Sequence, residues 1–244
     1  MVSDADRAAE EAISALLRAE RPDDGLLGEE GLAVEGSSGR RWVVDPLDGT
    51  TNYLYGFPMW GVSVAVEGPD GTGLAGAVLD PARAELFSAA RGEGATVSKA
   101  SMKGGPGGGG SNSGDIWDVF RPTSGEALRV REAAPLEHAL IATGFGYEPE
   151  RRRGQGAALA QVLPRVRDVR RAGAAAIDLA WVAAGRLDGY YERGLKPWDW
   201  AAGRLLVVEA GGAVAELAGE PLGLAAAAPG LLPDLLALLE SARA

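Results

Sequence analysis

A layered α+β fold, with sheets stacked against helices, is what this 244-residue sequence predicts. Three observations carry the expectation. Apolar segments in the first half are separated by Gly68-Pro69-Asp70-Gly71 and Asp80-Pro81-Ala82-Arg83, turn chemistry that joins antiparallel neighbours. In the second half, short strand-like runs alternate with helical stretches bounded by Gly and Pro. With 46% hydrophobic residues, the chain can bury a full core as one domain or as two tightly joined lobes, which we place at residues 1–133 and 134–244.

Taken in order, residues 8–19 predict a helix with Ala9, Ile13, Leu16 and Leu17 on one stripe, ended by Arg21-Pro22-Asp23-Asp24-Gly25. Trp42, Val43 and Val44 form a short buried strand that Pro46 halts. Residues 61–66, 74–79 and 85–89 read as antiparallel strands. After residues 140–143, the order is a helix at 154–164, a strand at 166–170 and a helix at 174–184 capped by Gly185. A strand at 187–192 and a last helix between Pro197 and Gly211-Gly212 follow. The single histidine, His138, reads as part of a surface helix start after a strand, which leaves histidine-phosphatase or Ser-His-Asp chemistry without support.

The chemistry concentrates in Trp42-Val-Val-Asp45-Pro46-Leu47-Asp48-Gly49-Thr50-Thr51-Asn52. Gly49 permits a sharp bend, so Asp45 and Asp48 can converge. Oxygen ligands without Cys or a useful His suit a hard cation, Mg²⁺ or Mn²⁺, of the kind that assists phosphate chemistry. Taken alone, the segment fits equally well an Asx-type turn with solvated carboxylates. It is not the Asp-x-Asp-Gly-Thr of haloacid-dehalogenase-type enzymes, because its acids stand three apart around a proline and strand alternation does not aim them together. A second cluster, Tyr190-Tyr191-Glu192 to Trp198-Asp199-Trp200-Ala201-Ala202-Gly203, puts Asp199 in the first turn of a helix, where it either caps that helix or completes a site.

Gly28-Glu29-Glu30, the Asp45–Thr50 turn, Trp198-Asp199-x-Ala201-Ala202-Gly203 and Glu209-Ala210-Gly211-Gly212, in this order, resemble the inositol monophosphatase family. The resemblance extends to Ser3, Asp6 and Glu10, to Arg171-Ala172-Gly173 through Asp178, and to bacterial members in Gly144-Phe145-Gly146-Tyr147. It implies the five-layer αβαβα sugar-phosphatase sandwich, with the site between two lobes. It implies that Glu29, Asp45, the Leu47 carbonyl, Asp48 and Asp199 hold two or three Mg²⁺, with Mn²⁺ possible and Li⁺ inhibitory. Glu29, Thr50 and Asp6 are then catalytic, Thr50 activating water with Asp6 paired to it. Gly49 and Thr50 amides cradle phosphate, while Gly173, Ala174, Ala175, Glu192 and Asp199 meet the substrate. A small phosphorylated polyol, a homodimer and a cytoplasmic location are also implied.

Composition sets the outer limits. Zero cysteines exclude disulfides and thiolate sites and fit a reducing compartment, and the net charge of −10 opposes nucleic-acid or anionic-membrane partners. Neither a signal peptide nor a transmembrane run is expected, since residues 1–20 form a charged, alanine-rich stretch. Two features depart from the family pattern. Residues 98–124 stand where a short hairpin turn is expected; six of residues 104–110 are glycine, so we read a flexible linker followed by Trp117 and Phe120. Met1 directly precedes Val2-Ser3, so the start reads as shortened. Three functions stay open: a polyol-phosphate phosphatase, a relative acting on histidinol phosphate, fructose 1,6-bisphosphate or a 3′-phosphonucleotide, and a non-catalytic binding protein of the same fold.

Overall fold

The computed structural model describes residues 3–100 and 125–242. Helix α1 (Asp4–Glu20) begins with a capping box: Ser3 Oγ accepts from the Asp6 amide while the Asp6 carboxylate accepts from the Ser3 amide. Its polar first turn is why apolar periodicity alone starts this helix four residues late. An eight-stranded sheet follows, in the spatial order β2-β1-β3-β4-β5-β6-β7-β8. Its strands are β1 (Gly25–Gly28), β2 (Ala33–Val34), β3 (Arg41–Asp48), β4 (Gly61–Glu67), β5 (Gly73–Asp80), β6 (Glu85–Ala90), β7 (Gly94–Lys99) and β8 (Glu126–Ala127). In this sheet, among the described residues, only β1 and β3 pair in parallel. A second sheet takes β9 (Leu140–Thr143), β10 (Asp168–Arg170), β11 (Gly189–Arg193), β12 (Ala213–Leu217) and β13 (Gly223–Ala227) in the order β10-β9-β11-β13-β12.

The remaining helices are α2 (Thr50–Leu54), α3 (Pro149–Val162), α4 (Ala175–Ala183), α5 (Pro197–Glu209) and α6 (Leu232–Ala242). Helix α1 lies on one face of the first sheet, while α4 and α5 pack together between the two sheets. Helix α6 covers the far face of the second sheet with α3 beside it. The result is the expected αβαβα sandwich. One continuous core joins Val43, Val78 and Phe87 to Ile177, Leu179, Tyr190 and Leu206, so the two halves of the chain share their interior. Close approach depends on small residues: a Cβ at Gly203 would lie 2.6 Å from Leu179 Cβ, and one at Gly76 would lie 3.0 Å from Ala202 Cα.

Several sequence expectations are corrected. Strand β3 does not stop at Pro46; it runs to Asp48 through an irregularity in its pairing with β4 between Asp45 and Asp48, the kind of place where a strand tolerates proline. Helix α3 starts at Pro149, not residue 154. His138 ends a single 3₁₀ turn (Leu136–His138) that leads into β9, and it is exposed. Ser98 and Lys99 belong to β7, pairing with Leu86 and Glu85, and the Ala100 amide donates to the Ala84 carbonyl; the remainder of the linker reading, residues 101–124, lies outside the described residues.

Candidate active site

Four separate elements deliver the acids to one pocket of about 390 Å³. Glu29 follows β1, Asp45 and Asp48 end β3, Glu192 lies on β11, and Asp199 stands in the first turn of α5; all five line the pocket with Leu47, Gly49, Thr50, Gly173 and Ala175. Asp48 is fixed by the N-terminus of α4, its carboxylate accepting from the Ala175 and Ala176 amides at 3.2 and 2.7 Å. Asp45 accepts from the Leu47 amide at 3.0 Å. Asp199 accepts from the Lys196 amide at 2.6 Å, so it caps α5 and faces the pocket at once. Gly49 takes φ +86, where a Cβ would lie 2.9 Å from the Met59 carbonyl.

Two of the expected site residues do not reach the pocket wall. Asp6 is fully buried and meets the site through Thr50, whose Oγ1 lies 3.1 Å from both Asp6 Oδ1 and the Leu47 carbonyl. The capping box of α1 therefore aims a carboxylate at Thr50. Ala174 is buried outside the lining and packs towards Gly49, because it is the residue before α4 and its neighbours take the pocket face. The Ala175 amide, although at the wall, is already given to Asp48.

The electrostatics are those of acids crowded together at the pocket floor, with cationic side chains only towards the wall. Asp45 and Asp48 are raised well above the usual carboxylate range, by burial first and by neighbouring acids next; what offsets them is backbone amides, not a basic side chain. Asp199 is pushed up to about 6 by burial and Glu192. Glu29 is pushed up to about 7 by burial of its carboxyl and by Asp199, even though the residue as a whole is exposed at the pocket edge. The acids share the pocket without closing into a cage: among the described residues no three His, Cys, Asp or Glu side chains stand together as a ready-made ion site. That arrangement still suits Mg²⁺, which keeps several waters and takes only one or two carboxylates directly.

The pocket also uses residues that the motif reading quoted for the resemblance but did not assign to the site. The Glu192 carboxylate, which accepts from Tyr190 Oη at 2.8 Å, lies across Gly144; a Cβ there would collide with it. Gly144, Phe145, Gly146, Tyr147, Glu148 and Arg151 form one wall of the pocket. The Gly-x-Gly pattern was the available signal, since two glycines entering a helix mark close approach. Burial raises the pKa of Glu192, while Tyr190 and Arg171 lower it.

Residues 1–241 match the model of the inositol monophosphatase family. This chain belongs to that family. Inositol-1-monophosphatase SuhB of Mycobacterium tuberculosis (strain H37Rv) is 41% identical over 229 residues, covering 90% of this chain and 71% of that protein. Nus factor SuhB of Pasteurella multocida is 39% identical over 242 residues, 96% of this chain and 80% of its own. The solved inositol monophosphatase of Anabaena superposes with a TM-score of 0.80 at 31% identity, over 98% of this chain and 87% of that one. An inositol monophosphatase is a phosphoric monoester hydrolase, and that enzyme class holds for this chain.

Proposed function

We propose that this chain is a Mg²⁺-dependent phosphomonoesterase acting on inositol 1-phosphate or a closely similar polyol phosphate, by direct attack of water on phosphorus. The observation that carries the reading is the pocket floor, where Asp45 and Asp48 are almost wholly buried with other acids as their charged neighbours. Glu29, Asp45, the Leu47 carbonyl, Asp48 and Asp199 make an all-oxygen donor set suited to two or three Mg²⁺, or to Mn²⁺, and open to competition by Li⁺. Such a cation, when bound, lowers the pKa of a water and offsets the charge on phosphate.

The chain's own residues do the positioning. Thr50 has one hydroxyl proton and faces two acceptors, so donation to Asp6 leaves its lone pairs for a water in the pocket. Asp6 is held for this by Ser3, through both amide and hydroxyl. The Gly49 and Thr50 amides bind phosphate oxygens at the turn. Across the pocket, Glu192 accepts hydrogen bonds from polyol hydroxyls. A homodimer in the cytoplasm belongs to the same reading; among the described residues no helix is long and apolar enough to cross a membrane. The test is phosphate release, with and without Mg²⁺, from inositol 1-phosphate, histidinol phosphate, fructose 1,6-bisphosphate and a 3′-phosphonucleotide. We expect Mg²⁺-dependent turnover on the inositol ester; turnover confined to another substrate would move the specificity, and none on any would overturn the reading.

A further inference from the structure

Helix α5 presents Asp199 to the catalytic pocket, and the next residues along it carry a pair that this pocket does not use. Trp200 and Arg204 stand one turn apart, with the guanidinium 5.5 Å from the Trp200 ring centre. Both side chains are half-buried, and among the described residues Arg204 makes no hydrogen bond or ion pair. Two acids that share its surroundings are committed elsewhere. Glu67 pairs with Arg41 at 2.8 Å, and Glu209 accepts from the Gly92 and Gly94 amides at 3.0 and 2.9 Å. A guanidinium so placed, with none of its five donors given to the protein, is open to an anion.

Trp200 and Arg204 border a cleft of about 170 Å³, separate from the catalytic pocket, whose other walls are mostly the apolar Leu195, Pro197, Leu222 and Leu224. Its single acid is Glu216, which is exposed on β12 and forms no ion pair with Arg204 among the described residues. An apolar cleft with one planar cation at its rim fits a small monocarboxylate that carries an aromatic or branched apolar body. The body removes the leucines and the proline from water, while the carboxylate takes the guanidinium fork. Glu216 disfavours a phosphate dianion in the same place. The cleft and the catalytic pocket share a wall: Leu195 lines both, and Pro197 and Trp200 flank the turn from which Asp199 faces the catalytic pocket. A ligand wedged against Pro197 and Trp200 therefore braces that turn.

We propose that this cleft is an effector site for a small apolar monocarboxylate, and that filling it tightens Mg²⁺ at the catalytic pocket by bracing the turn that presents Asp199. The binding stands by itself; the coupling rests on the metal assignment of the function proposed above. Calorimetry on the whole protein tests both, with phenylacetate as the probe, phenylacetamide as its uncharged match and Mg²⁺ as a second titrant. Phenylacetate is expected to bind about tenfold more tightly than phenylacetamide, the worth of one charge-assisted hydrogen-bonded pair. Arg204→Gln should remove that advantage and Arg204→Lys should restore part of it, while Arg151→Ala, on the wall of the catalytic pocket, should leave it in place. With phenylacetate saturating, Mg²⁺ should bind about fivefold more tightly, and by linkage Mg²⁺ should tighten phenylacetate by the same factor. Absence of phenylacetate binding, an advantage that survives Arg204→Gln, or an Mg²⁺ affinity that the probe leaves unchanged overturns the effector site. Mg²⁺ that fails to bind the wild type without the probe overturns the metal assignment instead, and the carboxylate titrations then decide the cleft alone.

Discussion

The floor of the pocket, where Asp45 and Asp48 sit, is built from buried backbone and side chains of β3 and α4; its wall, residues 144–148 and Arg151 with Glu192, is shaped by room that glycines leave. On the floor each carboxylate is tied to backbone amides, at Leu47 for Asp45 and at Ala175 and Ala176 for Asp48. On the wall, Glu192 and Arg151 lie over Gly144, Gly146 and Gly194. The difference separates two jobs. Under the function proposed, a floor built from β3 and the start of α4 would fix the reacting groups, whereas a wall built from gaps can be reshaped by one methyl group, and is where specificity should be easiest to alter.

The largest effect should come from the floor. Asp48→Asn or Asp199→Asn is expected to abolish Mg²⁺-dependent phosphate release, a loss of several kcal/mol of transition-state stabilisation, while circular dichroism and melting show a folded protein. Near-full activity at matched stability would remove the metal assignment. On the wall, Gly144→Ala should displace the Glu192 carboxylate. We expect it, like Glu192→Gln, to cost about 1–3 kcal/mol in kcat/KM on inositol 1-phosphate while sparing p-nitrophenyl phosphate. Equal losses on both esters would assign the wall to the metal site or the fold.

A smaller effect sharpens the contrast through pH. Glu29 at about 7 and Asp199 at about 6 are raised above their usual values of 4.5 and 3.8, so the folded, metal-free protein holds protons that the unfolded chain releases. Their contribution to stability is fully present below about pH 4 and is lost as pH rises through 6 to 7. Metal-free melting temperature should therefore fall across that window, and Mg²⁺ should restore it most at the upper end. A profile that Mg²⁺ leaves unchanged would detach the acids from metal binding. The smallest change is expected from replacing residues 101–124 with a short turn. Strands β7 and β8 already pair antiparallel, with Val97 opposite Glu126, so activity and stability should survive. A deep loss of turnover would give that segment a part in the site.

The same contrast accounts for what the sequence made legible. The acidic turn stood out because two carboxylates, a proline and a glycine share one bend, but alone it fitted a solvated Asx turn equally well; what the fold adds is Glu29, Glu192 and Asp199 in the same pocket. The capping box of α1 was equally present in Ser3 and Asp6, but its link to Thr50 is a contact between residues 44 apart and needs the fold. The second sheet was less legible. Strand β13 is Gly-Leu-Ala-Ala-Ala, poor in β-formers, and is fixed by burial between helices on both faces, which overrides its propensity. The wall was hidden for a related reason, since what matters at Gly144 and Gly146 is an absent side chain, whose meaning depends on what lies across it.

The measurement that tests the central claim most directly is phosphate release from inositol 1-phosphate by metal-stripped protein as Mg²⁺ is added back, run beside Asp45→Asn. The account predicts no turnover without metal, saturable recovery with Mg²⁺ in the wild type, and none at any Mg²⁺ concentration in the variant. Turnover that persists in excess chelator, or an Asp45→Asn protein that recovers fully, would contradict it.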